Sequence, residues 1–550
     1  MKKRILCLLL ALLIPCLAAF DTAGEAQPLR STTVTVEGET TPNPFYTYEI
    51  LPDGTAKILR FRGNAVNRLA LPERIDGYPV STLGTETFQG RCLDLKIFIP
   101  ETLTVVEGNP FDFEGGLLGI ELPASHPSLE LVDNMLFSKA DHRLICAWGM
   151  LHQVSIPEGT LSVEDHAFRH AEIEYAPYAP FQIPASVTHL GKNPFCNRET
   201  YISYTLSVAE GNKALIIVDG MLFSLEDKRL VCCADSMAVP DDYQIPNGTE
   251  ILDDYAFVNA RVWSAKAVNI PSSVRSVGDN PFYGCKWLEQ IVVDKNNESL
   301  EYKDGALYSR EDQRLVCAIA TDDRQLVIQE GTRIIGDNAF CIHMVPEWDI
   351  VLPDSVETIG DAAACGQRII TSNIPRHVRR VGAKAFYGCF LNCDLVFLDP
   401  VELGDYAFAQ QSNGGIQSLT APAGACIGNC AFSSNHALEN VTVFGENSCI
   451  GQGAFNRCST LREVFLGEGV YAVDSWPFAD CSELDRITLP ESLTYIGDKG
   501  LLNAEEKGYD EVYDSFYTRS ICTMTVTVAP GSYAEKYCQE NGIDCCYPGA

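Results

Sequence analysis

The stretch from Cys449 to Leu501 reads CIGQGAFNRCSTLREVFLGEGVYAVDSWPFADCSELDRITLPESLTYIGDKGL and contains one pattern twice in succession. An anchor phenylalanine is followed by a cysteine and three spaced apolar residues: Phe455, Cys458, Leu461, Val464 and Leu466, then Phe478, Cys481, Leu484, Ile487 and Leu489. The two anchors are 23 residues apart. A fixed period of roughly 20–50 residues is typical of solenoids, in which each repeat is one coil and stacked coils share a core.

The anchor recurs along nearly the whole chain, usually after an alanine or a proline. Its copies are Phe88, Phe111, Phe168, Phe195, Phe257, Phe282, Phe340, Phe386, Phe408, Phe432, Phe455 and Phe478. Ala364 and Leu501 fit the period without the ring, and the spacing is 22 to 24 residues from Phe340 onward. So regular a spacing predicts one continuous stack of coils in this half.

The N-terminal half has a longer rhythm. Asn-Pro-Phe occurs at 109–111, 193–195 and 280–282, at intervals of 84 and 87 residues. Each copy is followed by two apolar arms around a polar turn, within 134–146, 220–232 and 305–317. This pattern predicts three supermodules of about 86 residues up to roughly residue 350, each carrying an inserted β-hairpin.

Each coil contains one short strand with a buried and an outward face. Leu461, Val464 and Leu466 alternate at the end of the segment as a half-buried strand does. The residues between the buried positions then lie on the outward, concave face and are the candidate binding residues: Gln290, Val292, Asn440, Thr442, Glu463, Phe465, Arg486 and Thr488. Among them, Phe465 is an aromatic residue that we expect to face solvent.

Composition and the N-terminus bear on location and partners. The formal charge of −32 over 550 residues opposes binding to nucleic acid. Lys2-Lys3-Arg4 and the following apolar run predict a signal peptide within residues 1–26, too short to span a membrane. Pro15 before Cys16 disfavours lipid attachment, so a secreted or cell-surface-associated monomer is expected.

The cysteines recur in the repeat. Cys285, Cys389, Cys458 and Cys481 each lie three residues after an anchor, which predicts small buried residues rather than disulfide halves. The pairs Cys389/Cys393 and Cys426/Cys430 have the spacing of zinc ligands but occupy different positions of the repeat. They are therefore not interpreted as a metal site.

Two further segments resemble catalytic or cofactor-binding motifs, but each lacks a residue that the motif requires. His166 and His170 are four residues apart, but Ala167 stands where a zinc protease has its glutamate. His166 is predicted to face solvent, as is the turn doublet Asp253-Asp254. The run Gly451-Gln452-Gly453 lacks the third glycine of a dinucleotide-binding loop and is interpreted as a turn. The sequence thus predicts no catalytic residue, no metal and no cofactor.

The repeats resemble those of the BspA-type leucine-rich-repeat proteins, a bacterial surface and secreted group. The resemblance covers roughly residues 45–545 and includes Gly77-Tyr78-Pro79-Val80 near the start and residues 529–537 near the end. It implies a right-handed leucine-rich-repeat solenoid with a parallel sheet of short strands, an N-terminal capping hairpin and three inserted hairpins. The predicted divisions are a signal peptide with a lead segment at 1–26, a polar linker at 27–44, a capping hairpin at 45–82, the solenoid at 83–505 and a C-terminal cap at 506–550.

The resemblance also implies a function. It suggests a non-enzymatic binding protein that adheres to or recognises a protein or glycan on host or bacterial surfaces. The alternative is a secreted enzyme, or an enzyme accessory, acting on surface polysaccharide or protein. Converging carboxylates or histidines in a deep pocket would favour the alternative, whereas a smooth concave sheet would contradict it.

Overall fold

The computed structural model describes residues 32–548 except 64, 66, 153–154, 174–179, 198–204, 236–238, 259–265, 286–287, 320–324, 342–347, 367–368, 372, 412–414 and 511–514. The predicted signal peptide lies outside the described residues. Within them, no helix is both long and apolar enough to cross a membrane. The predicted repeat solenoid with parallel sheets is confirmed.

One side of the solenoid in the C-terminal half is built from the predicted alternating strands, and we call it the long-strand wall. All its strands are parallel, because equivalent segments of successive coils lie side by side. They are Gln325–Val327, Trp348–Val351, Ile369–Thr371 and Phe390–Leu391 in one sheet, and Leu395–Val396, Ser418–Ala421, Asn440–Val443, Glu463–Leu466, Arg486–Thr488, Thr525–Thr527 and Cys545–Cys546 in the next.

A second side, the short-strand wall, is one eleven-stranded sheet. It begins with the third inserted hairpin and continues with parallel strands from the regular coils. Its strands are Leu300–Lys303, Ala306–Ser309, Arg314–Ala318, Ile334–Ile335, Thr358–Ile359, Arg380–Val381, Glu402–Leu403, Cys426–Ile427, Ser448–Ile450, Val470–Val473 and Tyr495–Ile496.

The anchor turns form the third side. The amide of Phe408 donates to the carbonyl of Ala431 at 2.8 Å, and that of Phe432 to Ala454 at 2.7 Å, so adjacent turns are joined by backbone bonds. The Phe408 and Phe432 rings stack with centroids 5.3 Å apart. The residue two before the anchor is left-handed in each regular turn, and Gly453 takes this position with φ 59°. The segment Gly451-Gln452-Gly453 therefore belongs to a turn, as predicted.

The N-terminal half carries three hairpins, as predicted, and each has one strand more than the two arms that the sequence indicated. The three-stranded units are Leu129–Val132, Met135–Ser138 and Arg143–Leu151; Leu215–Val218, Met221–Ser224 and Arg229–Cys233; and Leu300–Lys303, Ala306–Ser309 and Arg314–Ala318. The coils between them contribute Ser162–Val163, His170–Ile173, Phe181–Ile183, His189–Leu190, Leu206–Val208, Asp242–Gln244, Ile251–Leu252, Ala267–Ile270, Ser276–Val277 and Gln290–Val293.

The predicted polar linker over 27–44 is wrong from residue 32 onward. Thr33–Val36 and Glu39–Pro42 form a hairpin, and the first of these strands also pairs with Arg74–Ile75. Val34 is buried in the N-terminal core, and this apolar contact stabilises the otherwise polar segment. The other strands of the N-terminal region are Tyr46–Ile50, Ala56–Phe61, Asn67–Ala70, Tyr78–Leu83, Cys92–Phe98, Val105–Val106 and Glu114–Glu121.

The N-terminal cap and the first anchor turn, which contains Phe88 and Arg91, lie against the outer face of the short-strand wall. Arg91 Nε is 2.9 Å from Asp405 Oδ2, and both side chains are buried. Phe45 packs against Cys449 and Tyr471 of later coils. The cap thus covers part of a wall that is more than 300 residues away in the chain.

The C-terminal region adds one hairpin and one helix. Ala504–Asp510 pairs with Ser515–Ile521, and the chain then returns to the long-strand wall. The helix Tyr533–Glu540 begins at Ser532, whose side chain accepts from the Glu535 amide and caps the first turn.

Candidate functional site

The outward face of the long-strand wall holds six of the eight candidate residues. On Glu463–Leu466, Val464 and Leu466 are buried, whereas Glu463 and Phe465 point outward. Parallel register aligns each outward position with its equivalent on the next coil. The face therefore consists of straight rows of side chains about 4.8 Å apart along the solenoid.

The first row is polar. Asn440, Glu463 and Arg486 are aligned, and Arg486 Nε lies 3.1 Å from Glu463 Oε1. Both charged side chains are largely exposed, so this pair contributes little to stability. Its charges are balanced and leave the row accessible to a partner.

The second row is made of threonines with one aromatic residue among them. Its members are Thr420, Thr442, Phe465, Thr488 and Thr527. Phe465 is 39% exposed, as the sequence predicted. Each threonine side chain carries a methyl group and a hydroxyl, so the row offers both apolar and hydrogen-bonding contacts.

A second exposed aromatic ring lies beside the first. Phe444 is 43% exposed, and its ring centroid is 5.9 Å from that of Phe465. A side chain at Gly467 would touch Phe444 at 3.4 Å, so this glycine leaves room for the ring. Leu398, also exposed, occupies the equivalent position two coils earlier. We call Leu398, Phe444 and Phe465 the aromatic patch.

Sequence reasoning missed Phe444, although a signal was present. The residue after the strand is proline in many coils, as in Ile99-Pro100 and Leu489-Pro490. Val443-Phe444 places a large aromatic side chain at that position instead. A comparison of this position across the repeats would have found it.

An acidic edge borders the aromatic patch. Glu446, Glu468 and Glu491 are exposed and occupy the same position of successive coils. The carboxylate of Glu468 accepts from the amides of Glu491 at 3.0 Å and Ser492 at 3.3 Å, which fixes it at this edge. The aromatic patch is thus flanked by negative charge.

The remaining two candidates, Gln290 and Val292, lie elsewhere. Their strand belongs to a separate three-stranded sheet with Asp242–Gln244 and Ala267–Ile270. In that sheet Asp242 Oδ1 accepts from Asn269 Nδ2 at 2.7 Å, so the polar groups there are paired with one another. The eight candidates therefore form two surfaces rather than one.

The sequence pattern of the BspA-type leucine-rich-repeat region matches residues 61–202, 240–309, 324–425 and 401–506, in six copies. These segments make up more than half of the 550 residues. The chain belongs to the BspA-type leucine-rich-repeat family. None of the curated proteins matches it.

Solved structures of bacterial leucine-rich-repeat proteins are similar to this BspA-type chain. One from Eubacterium ventriosum is 16% identical, covers 68% of this chain and 92% of its own, with a TM-score of 0.35. One from Bacteroides ovatus is 16% identical, with 91% and 98% covered and a TM-score of 0.34. A leucine rich cell surface protein from Faecalibacterium prausnitzii is 17% identical, with 83% and 90% covered and a TM-score of 0.20.

The repeated cysteine position of this BspA-type protein is buried, as predicted, and it also donates hydrogen bonds. Cys458 Sγ lies 3.2 Å from the carbonyl of Phe432, and Cys481 Sγ lies 3.0 Å from that of Phe455. Asn435 takes the same position one coil earlier and donates to Phe408 at 2.8 Å. The position therefore joins neighbouring coils through a side-chain donor, whether thiol or amide.

The prediction that His166 faces solvent is wrong. Its Nδ1 is 2.6 Å from Asp112 Oδ2 and its Nε2 is 3.2 Å from Asp254 Oδ2, with the ring only 11% exposed. Burial disfavours the charged ring, but Cys196 and the two carboxylates outweigh it and raise the pKa of His166 well above its usual value. The ring thus lies between two carboxylates, and both favour its protonated form.

The prediction for the Asp253-Asp254 doublet is wrong for the same reason. Both side chains are buried. Asp253 Oδ2 is 3.0 Å from Arg229 Nη1, and Asp254 meets the ring of His166. These aspartates lie in a turn, but that turn packs against equivalent turns of other coils rather than against water.

Proposed function

We propose that this chain is an exported, non-enzymatic recognition protein that binds a protein or glycan on host or bacterial surfaces through the aromatic patch. The observation that carries the proposal is the pair of exposed rings, Phe444 and Phe465, 5.9 Å apart on the long-strand wall. Aromatic side chains dominate binding hot spots because they bury much area with few rotatable bonds.

The scaffold suits such a role. Phe465 is held on a strand that pairs on both sides, with Asn440–Val443 and with Arg486–Thr488. Its neighbours Val464 and Leu466 are fixed in the core. Little conformational entropy is then lost when a partner binds, which favours affinity.

Charge limits the choice of partner. Glu446, Glu468 and Glu491 border the aromatic patch, and the whole chain carries a formal charge of −32. A partner with basic groups beside an apolar or sugar-ring surface would be attracted to this face, and its association would slow as salt rises.

Export is part of the proposal and rests on the N-terminal sequence. Lys2-Lys3-Arg4 before a short apolar run is typical of a signal peptide. No disulfide bond joins the described cysteines, and about half of them are buried. Buried thiols are shielded from oxidants, so these cysteines are compatible with an extracellular location.

The test is binding of the purified chain to arrayed host matrix proteins and bacterial glycans. Phe444→Ser and Phe465→Ser should each weaken the strongest interaction by about tenfold or more, as expected for a hot-spot residue. Val327→Ser and Val351→Ser remove exposed apolar groups elsewhere on the same wall and serve as controls. Equal binding by all four variants would refute the aromatic patch as the binding site.

A further inference from the structure

Each of the three inserted hairpins has one strand at the edge of its sheet, and these three edge strands differ in charge. Each hairpin begins with an outer strand: Leu129–Val132, Leu215–Val218 and Leu300–Lys303. Among the described strands each of these pairs on one side only, with the next strand of its hairpin. Unpaired sheet edges are sites where another strand can add.

The first and third edge strands carry charged residues on their outward face. Glu130 lies in the first, and Glu301 and Lys303 lie in the third. In the third hairpin Arg310 Nη2 is 3.4 Å from Glu301 Oε2. Charges at such positions discourage the addition of another strand, because pairing would desolvate them.

The second edge strand has no such charge. Its sequence is Leu-Ile-Ile-Val, with Ile216 and Val218 where the third hairpin has Glu301 and Lys303. Leu225 likewise replaces Arg310. Ile216, Val218 and Leu225 are all exposed. An uncharged, apolar edge is a favourable template for strand addition.

A cleft lies on the same face of the second hairpin. Ile216, Val218, Phe223 and Leu225 line it together with Ser224, Lys228 and the turn 246–249, and its volume is about 360 Å³. That is large enough for one or two apolar side chains of a peptide. The equivalent cleft of the third hairpin is about 250 Å³ and is lined by Glu301, Arg310 and Gln313 among others. The apolar lining is therefore specific to the second hairpin.

Backbone geometry leaves groups free for pairing at this edge. Leu225 N–H donates to Ala214 O at 2.8 Å, which fixes Ile216 and Phe223 as a hydrogen-bonded pair. The amide and carbonyl of the intervening Ile217 then point away from the hairpin, toward the edge. A strand that adds there would place alternate side chains beside Ile216 and Val218, over the cleft.

We propose that the second hairpin binds an extended, basic polypeptide segment, which adds as a strand beside Leu215–Val218 and places an apolar side chain in the cleft. The basic character follows from the exposed Asp219 and Glu226 near the ends of the hairpin and from the charge of −32. Lys228, the cation that lines the cleft, is paired with Glu250 at 2.6 Å. The site is independent of the aromatic patch, which lies on other coils.

A second copy of this chain fits the edge less well. Two copies would bring together two molecules of charge −32. An edge strand of four residues also buries far less than the roughly 1,200–2,000 Å² of a stable interface. A short peptide strand has no such requirement.

The proposal can be tested with a fluorescein-labelled peptide of sequence Lys-Thr-Leu-Thr-Val-Thr-Lys and fluorescence anisotropy. The wild-type chain should bind it saturably. The triple variant Ile216→Glu, Val218→Lys, Leu225→Arg should bind at least tenfold more weakly. It carries the residues of the third hairpin, which the same fold already accommodates, and its thermal unfolding checks that it is folded.

Two controls identify the mode of binding. Val105→Glu places a charge on another exposed apolar strand and should leave the affinity unchanged. Of two peptides N-methylated on alternate residues in opposite registers, the one whose methyl groups face the edge strand should lose binding and the other should retain it. The reverse variant Glu301→Ile, Lys303→Val, Arg310→Leu should raise the peptide stoichiometry from one to two.

Several results would overturn the proposal. They are no saturable binding at millimolar peptide, equal binding by the triple variant, or equal binding of the two N-methylated peptides. A wild-type dimer in sedimentation velocity that the triple variant abolishes would assign the edge to a second copy instead. Phe444→Ser and Phe465→Ser should not alter peptide binding, so failure here is distinguishable from failure of the aromatic patch.

Discussion

The regular coils after residue 325 and the supermodules before it hold neighbouring anchor turns together in different ways. In the regular half each turn bonds to the next through the backbone, as Phe432 does to Ala454, and the rings of Phe432 and Phe455 stack 5.5 Å apart. In the supermodules, some anchor turns still bond to the next through the backbone, as Phe168 does to Pro194. A hairpin-bearing coil, however, separates each Asn-Pro-Phe turn from the anchor turn that follows it. Side chains make much of the contact across that coil.

The asparagine of each Asn-Pro-Phe turn makes that contact. Asn109 Nδ2 donates to Asp165 O at 2.9 Å, Asn193 to Asp254 O at 2.8 Å and Asn280 to Asn338 O at 2.6 Å. The distances in sequence are 56 to 61 residues, so each asparagine reaches across the inserted coil. A solenoid thus accepts an insertion when a side-chain amide replaces the missing backbone bond.

Among the variants considered, Phe432→Ala in the regular half is expected to cause the largest loss of stability. The ring is fully buried between two others, so its removal leaves a cavity and breaks the stack. The free energy of unfolding should fall by about 3–5 kcal/mol, measured by urea denaturation. Phe465→Ala, at an exposed position, should change it by less than about 1 kcal/mol. Similar losses for both would contradict the stacked core.

His166→Gln should have the next largest effect, in the supermodule half. It leaves Asp112 and Asp254 without their shared cation, which should cost about 3 kcal/mol. Because the folded pKa of His166 is raised, its contribution is complete below pH 6.5 and is lost as the pH rises through the folded value. The free energies of unfolding of the wild-type chain and the variant, measured from pH 6 to pH 10, check this. A difference between the two that grows with pH would contradict the bridge.

Asn193→Ala should lower the free energy of unfolding by about 2 kcal/mol, because the buried carbonyls of Asp254 and Tyr255 lose their donor. Asn440→Ala removes an exposed amide of the same type and should change it by less than about 0.5 kcal/mol. If the two variants unfold at the same urea concentration, the asparagines do not bridge the coils.

The smallest effect concerns the cysteine position. Cys458→Ala removes the donor to Phe432 O and should cost about 1 kcal/mol in thermal unfolding. Cys458→Ser keeps a donor at that position, as Asn435 does one coil earlier, and should cost less. A serine variant less stable than the alanine variant would show that the thiol acts only as an apolar group.

The same comparison explains what the sequence could predict. Contacts between adjacent coils repeat with the period, so the anchors, the strands and the exposure of Phe465 follow from spacing alone. His166 and Asp112 are 54 residues apart, and Arg91 and Asp405 are 314 apart. Such contacts depend on how the coils wind past one another, which no repeat position encodes. The repeat position of His166, which Tyr255 and Asn338 occupy in other coils, therefore does not predict its burial.

The most direct test of the central claim, that the chain recognises its partner through the aromatic patch, is hydrogen exchange of the chain with and without a bound surface ligand from the array. We expect ligand-dependent protection in residues 440–444 and 463–467, which contain Phe444 and Phe465. Protection confined to the short-strand wall, or to the hairpins of the N-terminal half, would contradict it.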